Sequence, residues 1–218
     1  MKLSRWFFVL VLCTSSLAIA DREVDKKDFS GWMKAYDSLV YDEQRNAYLF
    51  YNEAKRGQYQ RVLLDSVTVY SPEGEAEGAI ALRSSAYLNE GVKDLLTRKG
   101  IAAGAAGPGV LVLKIAITGV EKSKEDLKAY NFIPVAAVFR GAKAATGNVP
   151  TYIDTMFEAE MTDSLSGERL GAIVAKGIEE TEKRSGDELT FDDVRPTLDK
   201  WLAQYEQTLG EYLQSPPE

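Results

Sequence analysis

The residues best suited to chemistry are three carboxylates at the start of the stretch "EAEMTDSLSGERLGAIVAKG", positions 158–177. Glu158, Glu160 and Asp163 fall within six residues of one another. Paired carboxylates can serve as general acid and base, and a set of carboxylates can bind a cation. A glycosidase-type pair must face across a cleft, and a calcium site needs at least about six oxygens. The elements that position these acids therefore decide what they can do.

The acids lie in a segment with the alternation of a β-strand. From Tyr152 to Asp163 the odd positions are largely apolar, whereas even positions include Glu158 and Glu160. Strand geometry places those two side chains on one face, about 7 Å apart. Neighbours on one strand do not form a cleft. We therefore expect a solvated hairpin face and no catalytic or metal-binding cluster.

The residues after this strand predict a hairpin turn. Asp163 can accept hydrogen bonds from nearby backbone groups, and Gly167 can adopt a positive φ. The chain should then return as a second strand over Arg169 to Ala175.

The chain contains no His, and its only Cys is Cys13. These counts exclude Ser-His-Asp and Cys-His nucleophiles, HExxH zinc sites and thiolate metal cages. No serine begins a Ser-x-x-Lys pair either. We predict no catalytic residue, no cofactor site and no metal site, so the protein is expected not to be an enzyme. An acid-dyad hydrolase remains the alternative.

The amino terminus has the features of a secretory signal peptide. Lys2 and Arg5 precede the apolar run 6–12, and Ala18-Ile19-Ala20 is a small-x-small cleavage site. We expect cleavage after residue 20 and export to the periplasm. Lipidation at Cys13 is the alternative and would anchor the protein to the outer membrane, but Leu12 fits poorly before a lipidated Cys.

Removal of residues 1–20 leaves 24 basic and 33 acidic residues, a net charge of −9. Nucleic acids and anionic lipids attract clustered Lys and Arg, so this balance argues against both as partners. No stretch is apolar for the roughly 20 residues that a transmembrane helix requires.

The remaining pattern predicts one α+β domain over residues 28–214, after a flexible leader at 21–27. Strands are expected at 61–70, at 110–120 and in the hairpin, and helices at about 75–99 and from Phe191 to Leu213. Thr190 and Asp193 resemble a capping box at the start of the last helix, and a delay of its regular part until Pro196 is the alternative. The result is a mixed sheet of about four strands, with two long helices packed on one face. The glycines of 100–109 follow a helix and precede a strand, so they do not form a phosphate loop.

Two apolar segments lie outside this scheme. Residues 29–59 are dense in aromatic side chains without a clear period, and we expect them to cover a face or edge of the sheet. Residues 131–147 form either a short buried helix or an apolar surface element. Trp32, Tyr36 and Phe139 are the candidate contact surface.

Five stretches resemble the domain-of-unknown-function 3313 family of bacterial secreted proteins and lipoproteins. They are "FSGWMKAYDSL", "YQRVLLDSVTVYSP", "GPGVLVLKIAITGVEKS", "FEAEMTDSLSGERLGAIV" and "WLAQYEQTLGEYL". The resemblance covers most of residues 28–214 and implies no catalytic residue. We therefore expect a non-enzymatic periplasmic or envelope-associated protein that binds a partner or assists an assembly. An envelope protein is the expected partner, and the oligomeric state is open.

Overall fold

The computed structural model describes residues 23–70, 78–124, 151–181 and 187–214. These residues form an α+β structure with one six-stranded mixed sheet. The strands are β1 Val40–Asp42, β2 Ala47–Tyr51, β3 Arg61–Val69, β4 Val110–Lys124, β5 Thr151–Asp163 and β6 Arg169–Thr181. The helices are α1 Ala79–Arg98 and α2 Phe191–Leu213.

The strands lie in the order β1-β2-β6-β5-β4-β3. Among the six described strands, only β3 and β4 pair in parallel, and α1 lies between them in the chain. A parallel pair needs a long crossover connection, which this helix supplies. The other neighbouring pairs are antiparallel, and the predicted hairpin is the pair β5–β6.

The expectation of about four strands is wrong, because the aromatic amino-terminal region contributes β1 and β2. These strands have three and five residues and are joined by a turn in which Asn46 has a φ of 46°. A strand of three residues is too short to show alternation in the sequence. The turn also lacks the Gly that most often marks a tight hairpin.

Both helices pack on the same face of the sheet, as predicted. Their buried side chains include Leu88 and Val92 of α1 and Leu198 and Trp201 of α2. They meet a face of the sheet that includes Ile115 of β4 and other apolar strand residues. This interface forms the main hydrophobic core.

Helix α2 begins at Phe191, so its start is set by the predicted capping box of Thr190 and Asp193 and not by Pro196. The backbone N–H of Thr190 donates to Oδ2 of Asp193 at 2.7 Å, which satisfies a group at the helix start. Phe191 and Val194 are buried before the proline is reached. Capping and burial thus hold the first turn, although Pro196 lacks the N–H for a helical hydrogen bond.

The opposite face of the sheet is covered by residues 23–39, which we call the strap. The strap contains one short 3₁₀ turn, Lys26–Asp28, and no strand. A second apolar cluster is buried beneath it; its members are Val24, Met33, Leu39, Met156, Ala172 and Val174. The prediction that the aromatic region covers the sheet is confirmed. Val24, within the expected leader 21–27, is only 3% exposed.

The apolar segment 131–147, with its candidate contact residue Phe139, lies outside the described residues.

Candidate functional site

Glu158 lies at the centre of the sheet, on the face that points away from the helices. In the strand pairing its Cα partners are Ala116 on β4 and Val174 on β6. Its exposed fraction is 0%. The expectation of a solvated face is therefore wrong for Glu158. Alternation correctly assigned the face, but it carries no information that the strap covers it.

Three neutral donors hold the Glu158 carboxylate. Its Oε1 accepts hydrogen bonds from the backbone N–H and the hydroxyl of Ser30, both at 2.8 Å. Its Oε2 accepts a 2.7 Å hydrogen bond from the hydroxyl of Tyr36. Burial of a carboxylate is costly unless hydrogen bonds replace its hydration. These bonds offset that cost and at the same time fix two points of the strap on the sheet.

The Tyr36 hydroxyl also organises the strap itself. Its oxygen accepts hydrogen bonds from the backbone N–H groups of Gly31 and Met33, at 3.0 and 3.1 Å. Its ring stacks on Phe29 with the centroids 4.6 Å apart. Burial, followed by the hydrogen bond to Glu158 and the negative charge of that residue, raises the pKa of Tyr36 to about 12. Tyr36 therefore stays a neutral donor at physiological pH.

Glu160 has a different set of partners. Its Oε1 accepts from Nη2 and Nε of Arg169, at 2.6 and 2.8 Å, and both side chains are about one fifth exposed. Nη1 of Arg169 in turn donates to the carbonyl oxygen of Ala35 at 2.7 Å. Glu160 is thus half-buried and not fully solvated as expected. It positions an arginine that binds the strap.

Asp163 organises the turn between β5 and β6, as predicted. Its Oδ1 accepts from the backbone N–H groups of Leu165 and Ser166, at 3.0 and 2.7 Å. The hydrogen bonds from the backbone and hydroxyl of Ser166 are the main reason that the pKa of Asp163 falls to about 2. Gly167 has the predicted positive φ, 71°.

Each of the three carboxylates therefore has its own hydrogen-bond partners and its own structural role. Glu158 binds the strap, Glu160 binds Arg169, and Asp163 binds the turn. Within the described ranges, no group of three acidic, His or Cys side chains is arranged to hold a metal ion. An acid dyad requires two carboxyl groups that both face a substrate, and Glu158 has no exposed surface.

A further charged pair lies on the same face of β5. Lys176 Nζ is 3.3 Å from Oδ2 of Asp154, and the two side chains are only 10% and 4% exposed. A paired and buried charge of this kind is costly to break by removing one partner. The pair therefore joins β5 and β6 beyond Glu158.

A small cavity lies between α2 and the sheet. Its volume is about 30 Å³, and its walls include Tyr51, Met161 and Tyr205. Small-molecule sites usually enclose about 300–1,000 Å³, so this space suits at most one or two water molecules. It does not provide a substrate pocket for the acids on the other face.

The strap and first hairpin carry a set of half-buried aromatic rings, which we call the aromatic strap face. Its members are Phe29, Trp32, Tyr36, Tyr41, Tyr48 and Phe50. The Tyr48 ring lies 5.1 Å from Phe29, edge to face, and 5.2 Å from Tyr41. The structure thus places Trp32 and Tyr36 together, each partly exposed, and their role as contact residues remains a prediction.

Ser30 was missed as a site residue. Its type and position in the sequence do not distinguish it from an ordinary loop serine. One signal did mark Glu158: Met156, two residues earlier on the same strand face, is apolar. An apolar neighbour on the supposedly solvated face indicates that something covers it.

Comparison with known families decides the assignment of the chain. The sequence model for the protein of unknown function DUF3313 matches residues 28–205. The chain belongs to this family. The resemblance predicted from the five sequence stretches is thereby confirmed.

A relative is the uncharacterised lipoprotein YdcL of Escherichia coli strain K12. It is 25% identical over 147 residues, which are 66% of this chain and 66% of YdcL. This chain therefore spans just under two thirds of the length of that relative.

Solved structures show only distant similarity. The PelC dodecamer of Paraburkholderia phytofirmans is 12% identical, covers 78% of this chain and 98% of its own, and has a TM-score of 0.33. Rare lipoprotein B of Shewanella oneidensis is 18% identical, covers 70% and 92%, and also has a TM-score of 0.33. Scores this low support no argument about assembly or activity. Among the described residues, no helix is both long and apolar enough to cross a membrane.

Proposed function

We propose that this DUF3313 protein is a non-enzymatic, envelope-associated binding or assembly accessory protein that contacts an envelope component through its aromatic strap face. The name of its relative YdcL, a lipoprotein, supports location in the envelope. The predicted signal peptide supports export. Either cleavage after residue 20 or lipidation of Cys13 is compatible with this proposal.

One observation carries the proposal. Glu158, the best candidate for catalysis in the sequence, has no exposed surface and uses both carboxylate oxygens to bind the strap. The same interactions hold Tyr36 in place beside the other partly exposed aromatic rings. Aromatic side chains held in fixed positions supply contact area at low entropic cost and are enriched in binding surfaces.

Two experiments test this function, and the first concerns catalysis. The purified protein is screened for esterase, glycosidase and phosphatase activity beside its Glu158→Gln and Glu160→Gln variants. We expect no turnover above background in any of the three proteins. An activity that disappears in either variant would establish the acid-dyad hydrolase instead.

The second test concerns the contact surface. Photo-crosslinking groups are placed at Trp32 on the strap face and, as a matched control, at Leu82 on α1, where the side chain is 49% exposed. We expect envelope components to be captured from position 32 and not from position 82. Equal capture at both positions would contradict a role for the strap face.

A further inference from the structure

The strap forms its backbone-to-backbone hydrogen bonds within itself. Among the described residues, these bonds run from Asp28 to Asp25, from Phe29 to Lys26 and from Leu39 to Tyr36. A β-strand in the same place would instead be bonded to its neighbour through the backbone of alternate residues. The strap can therefore leave the sheet without breaking any of these backbone-to-backbone hydrogen bonds.

Side chains make the connections between the strap and the sheet. Glu158 holds the strap at Ser30 and Tyr36, and Arg169 holds it at Ala35. The apolar cluster beneath the strap has six buried residues, against 27 in the main core. A segment attached by so little buried surface opens at a lower free energy than the whole domain unfolds.

Closure of the strap removes the Glu158 carboxylate from water. Its exposed fraction is 0%, and the β6 cations Arg169 and Lys176 pair with Glu160 and Asp154 instead of with Glu158. Opening of the strap would restore the hydration of the carboxylate, which offsets part of the loss of its three hydrogen bonds. The closed and open arrangements are therefore closer in free energy than they would be with an apolar residue at position 158.

The strap also shows what chemistry the sheet face beneath it accepts. Around Glu158 this face is apolar, since Met156, Ala172 and Val174 belong to the second apolar cluster. The strap brings a backbone N–H and a hydroxyl to one carboxylate oxygen and a phenol to the other. Hydrogen bonds to a carboxylate in apolar surroundings are strong and depend on geometry. A second peptide with the same donors and apolar side chains would satisfy the same groups.

We propose that the sheet face centred on Glu158 is a peptide-binding site, which the strap of the same chain occupies and from which the strap can be displaced. The ligand is a peptide segment that brings a hydroxyl and a phenol to the carboxylate, as Ser30 and Tyr36 do. This inference concerns the sheet face under the strap. It does not rest on the proposed function, which concerns the partly exposed aromatic rings.

Displacement of the strap by an added peptide provides the test. A synthetic peptide of residues 23–39 carries a fluorescent label, and its binding to the purified full chain is measured by fluorescence anisotropy. The strap competes from within the chain at an effective concentration on the order of millimolar. A weaker strap should therefore raise the apparent affinity for the peptide, because that affinity is proportional to the fraction of chains with an open site.

The chain with Ser30→Ala and Tyr36→Phe has such a weakened strap. It keeps Glu158 but loses two of the three donors that the strap brings to the carboxylate. We expect this variant to bind the unmodified peptide at least about tenfold more tightly than the parent chain does. A peptide with the same two substitutions should bind the variant at least about tenfold more weakly than the unmodified peptide.

A matched control removes one serine and one tyrosine hydroxyl elsewhere in the chain. Ser164→Ala combined with Tyr59→Phe removes hydroxyl groups that bond to Gly107 and Asp163. This variant should bind the peptide as the parent chain does. If the weakened-strap variant fails to bind the unmodified peptide, or binds both peptides equally, the inference is wrong.

Hydrogen exchange of the parent chain gives a second measurement, which does not depend on the folding of a variant. The backbone N–H groups of Ser30, Gly31 and Met33 donate to Glu158 or Tyr36. We expect them to exchange together and faster than the amides at the centre of β5. Exchange of the strap only at the rate of those β5 amides would show that the strap does not open separately, and would overturn the inference.

The outcome for the proposed function is separate. If the peptide does not bind but position 32 captures an envelope component, the peptide-site inference fails and the proposed function stands. If the peptide binds but position 32 captures no more than position 82, the proposed contact surface fails and the peptide site stands.

Discussion

The hydroxyl of Tyr36 donates a 2.7 Å hydrogen bond to Oε2 of Glu158, a residue 122 positions later in the chain. Ser30 binds the other oxygen of the same carboxylate through two further hydrogen bonds. A single buried side chain of β5 thus holds two separate points of the strap. The aromatic strap face owes its fixed geometry to a carboxylate that the sequence alone presents as a catalytic candidate.

The first prediction concerns the strength of this connection. Tyr36→Phe removes one donor from a buried carboxylate and should lower the free energy of unfolding by about 1–3 kcal/mol. Tyr36→Phe should lower the free energy of unfolding by a smaller amount when Glu158 is already replaced by Gln. The reason is that a hydrogen bond to a neutral amide is weaker than one to a buried carboxylate. Urea unfolding of the four proteins of this double-mutant cycle should give a coupling energy of about 1 kcal/mol.

Tyr41→Phe is the matched control for that cycle. The Tyr41 hydroxyl donates to Asn46 and not to Glu158. The changes in the free energy of unfolding caused by Tyr41→Phe and by Glu158→Gln should therefore be additive, with no coupling energy. If Glu158→Gln changes stability by no more than about 0.5 kcal/mol, it behaves as an ordinary surface substitution and the proposed role of Glu158 is wrong.

The second prediction concerns alkaline pH. The folded pKa of Tyr36 is about 12, above the usual value of 10.0, so folding favours the protonated phenol. This contribution to stability is complete below pH 10 and is lost as the pH rises through 12. The difference in ultraviolet titration between the parent protein and Tyr36→Phe should show a single phenol with a midpoint near 12.

Glu158→Gln should move the midpoint of that titration down. The variant removes the negative charge that opposes ionisation of Tyr36, although the effect of burial remains. A midpoint that stays the same in the variant would show that the carboxylate does not interact with the phenol in solution.

The third prediction concerns the docking of α2. Trp201 is 3% exposed, and its ring centroid lies 4.1 Å from that of Phe157 on β5. Trp201→Ala should therefore cost about 3–5 kcal/mol and threaten the stability of the domain. Leu82→Ala on the exposed side of α1 is the control and should change stability by no more than about 0.5 kcal/mol. Equal melting temperatures for Trp201→Ala and the parent would contradict a core role.

The regular elements with many residues were predictable because periodicity accumulates with length. Helix α2 shows its apolar period over 23 residues, and β3 and β4 are runs of at least nine residues rich in apolar and β-branched side chains. β1 and β2 were not predictable in this way, since they are short and lie among aromatic residues that face several directions. β1 pairs with β2, and β2 pairs with β6 at positions that lie at least 120 residues later in the sequence.

The hydrogen-bond partners of Glu158 could not be predicted for a related reason. Alternation shows that a side chain points away from the helices, but not whether another segment covers that face. The sequence of the strap has no helical or strand period that would indicate where it lies. It is held on the sheet by hydrogen bonds from or to side chains that are distant in the sequence. Asp163 was predictable because its hydrogen-bond partners, apart from the hydroxyl of Tyr59, lie within five residues of it in the sequence.

The fourth prediction concerns maturation. Cleavage after Ala20 gives an unmodified protein that begins at Asp21, whereas lipidation gives one that begins at an acylated Cys13. We expect the intact mass of protein released from the envelope to correspond to a start at Asp21. A mass that includes Cys13 and two or three acyl chains would show lipidation and would contradict this prediction. Mutation of Cys13 to Ser is the control, because it should leave the first product unchanged.

The last prediction concerns acid. Hydrogen bonds from Ser166 and Leu165 lower the pKa of Asp163 to about 2, below its usual 3.8, so folding favours the ionised carboxylate. The associated stability is complete above about pH 4 and is lost as the pH falls through 2. Asp163→Asn should therefore be less stable than the parent at neutral pH, and this difference should shrink between pH 4 and pH 2. Asp94→Asn, on the exposed side of α1, is a surface control and should change stability at neutral pH by no more than about 0.5 kcal/mol. Free energies of unfolding measured across this range would refute the role of Asp163 if the parent and Asp163→Asn differed by a constant amount.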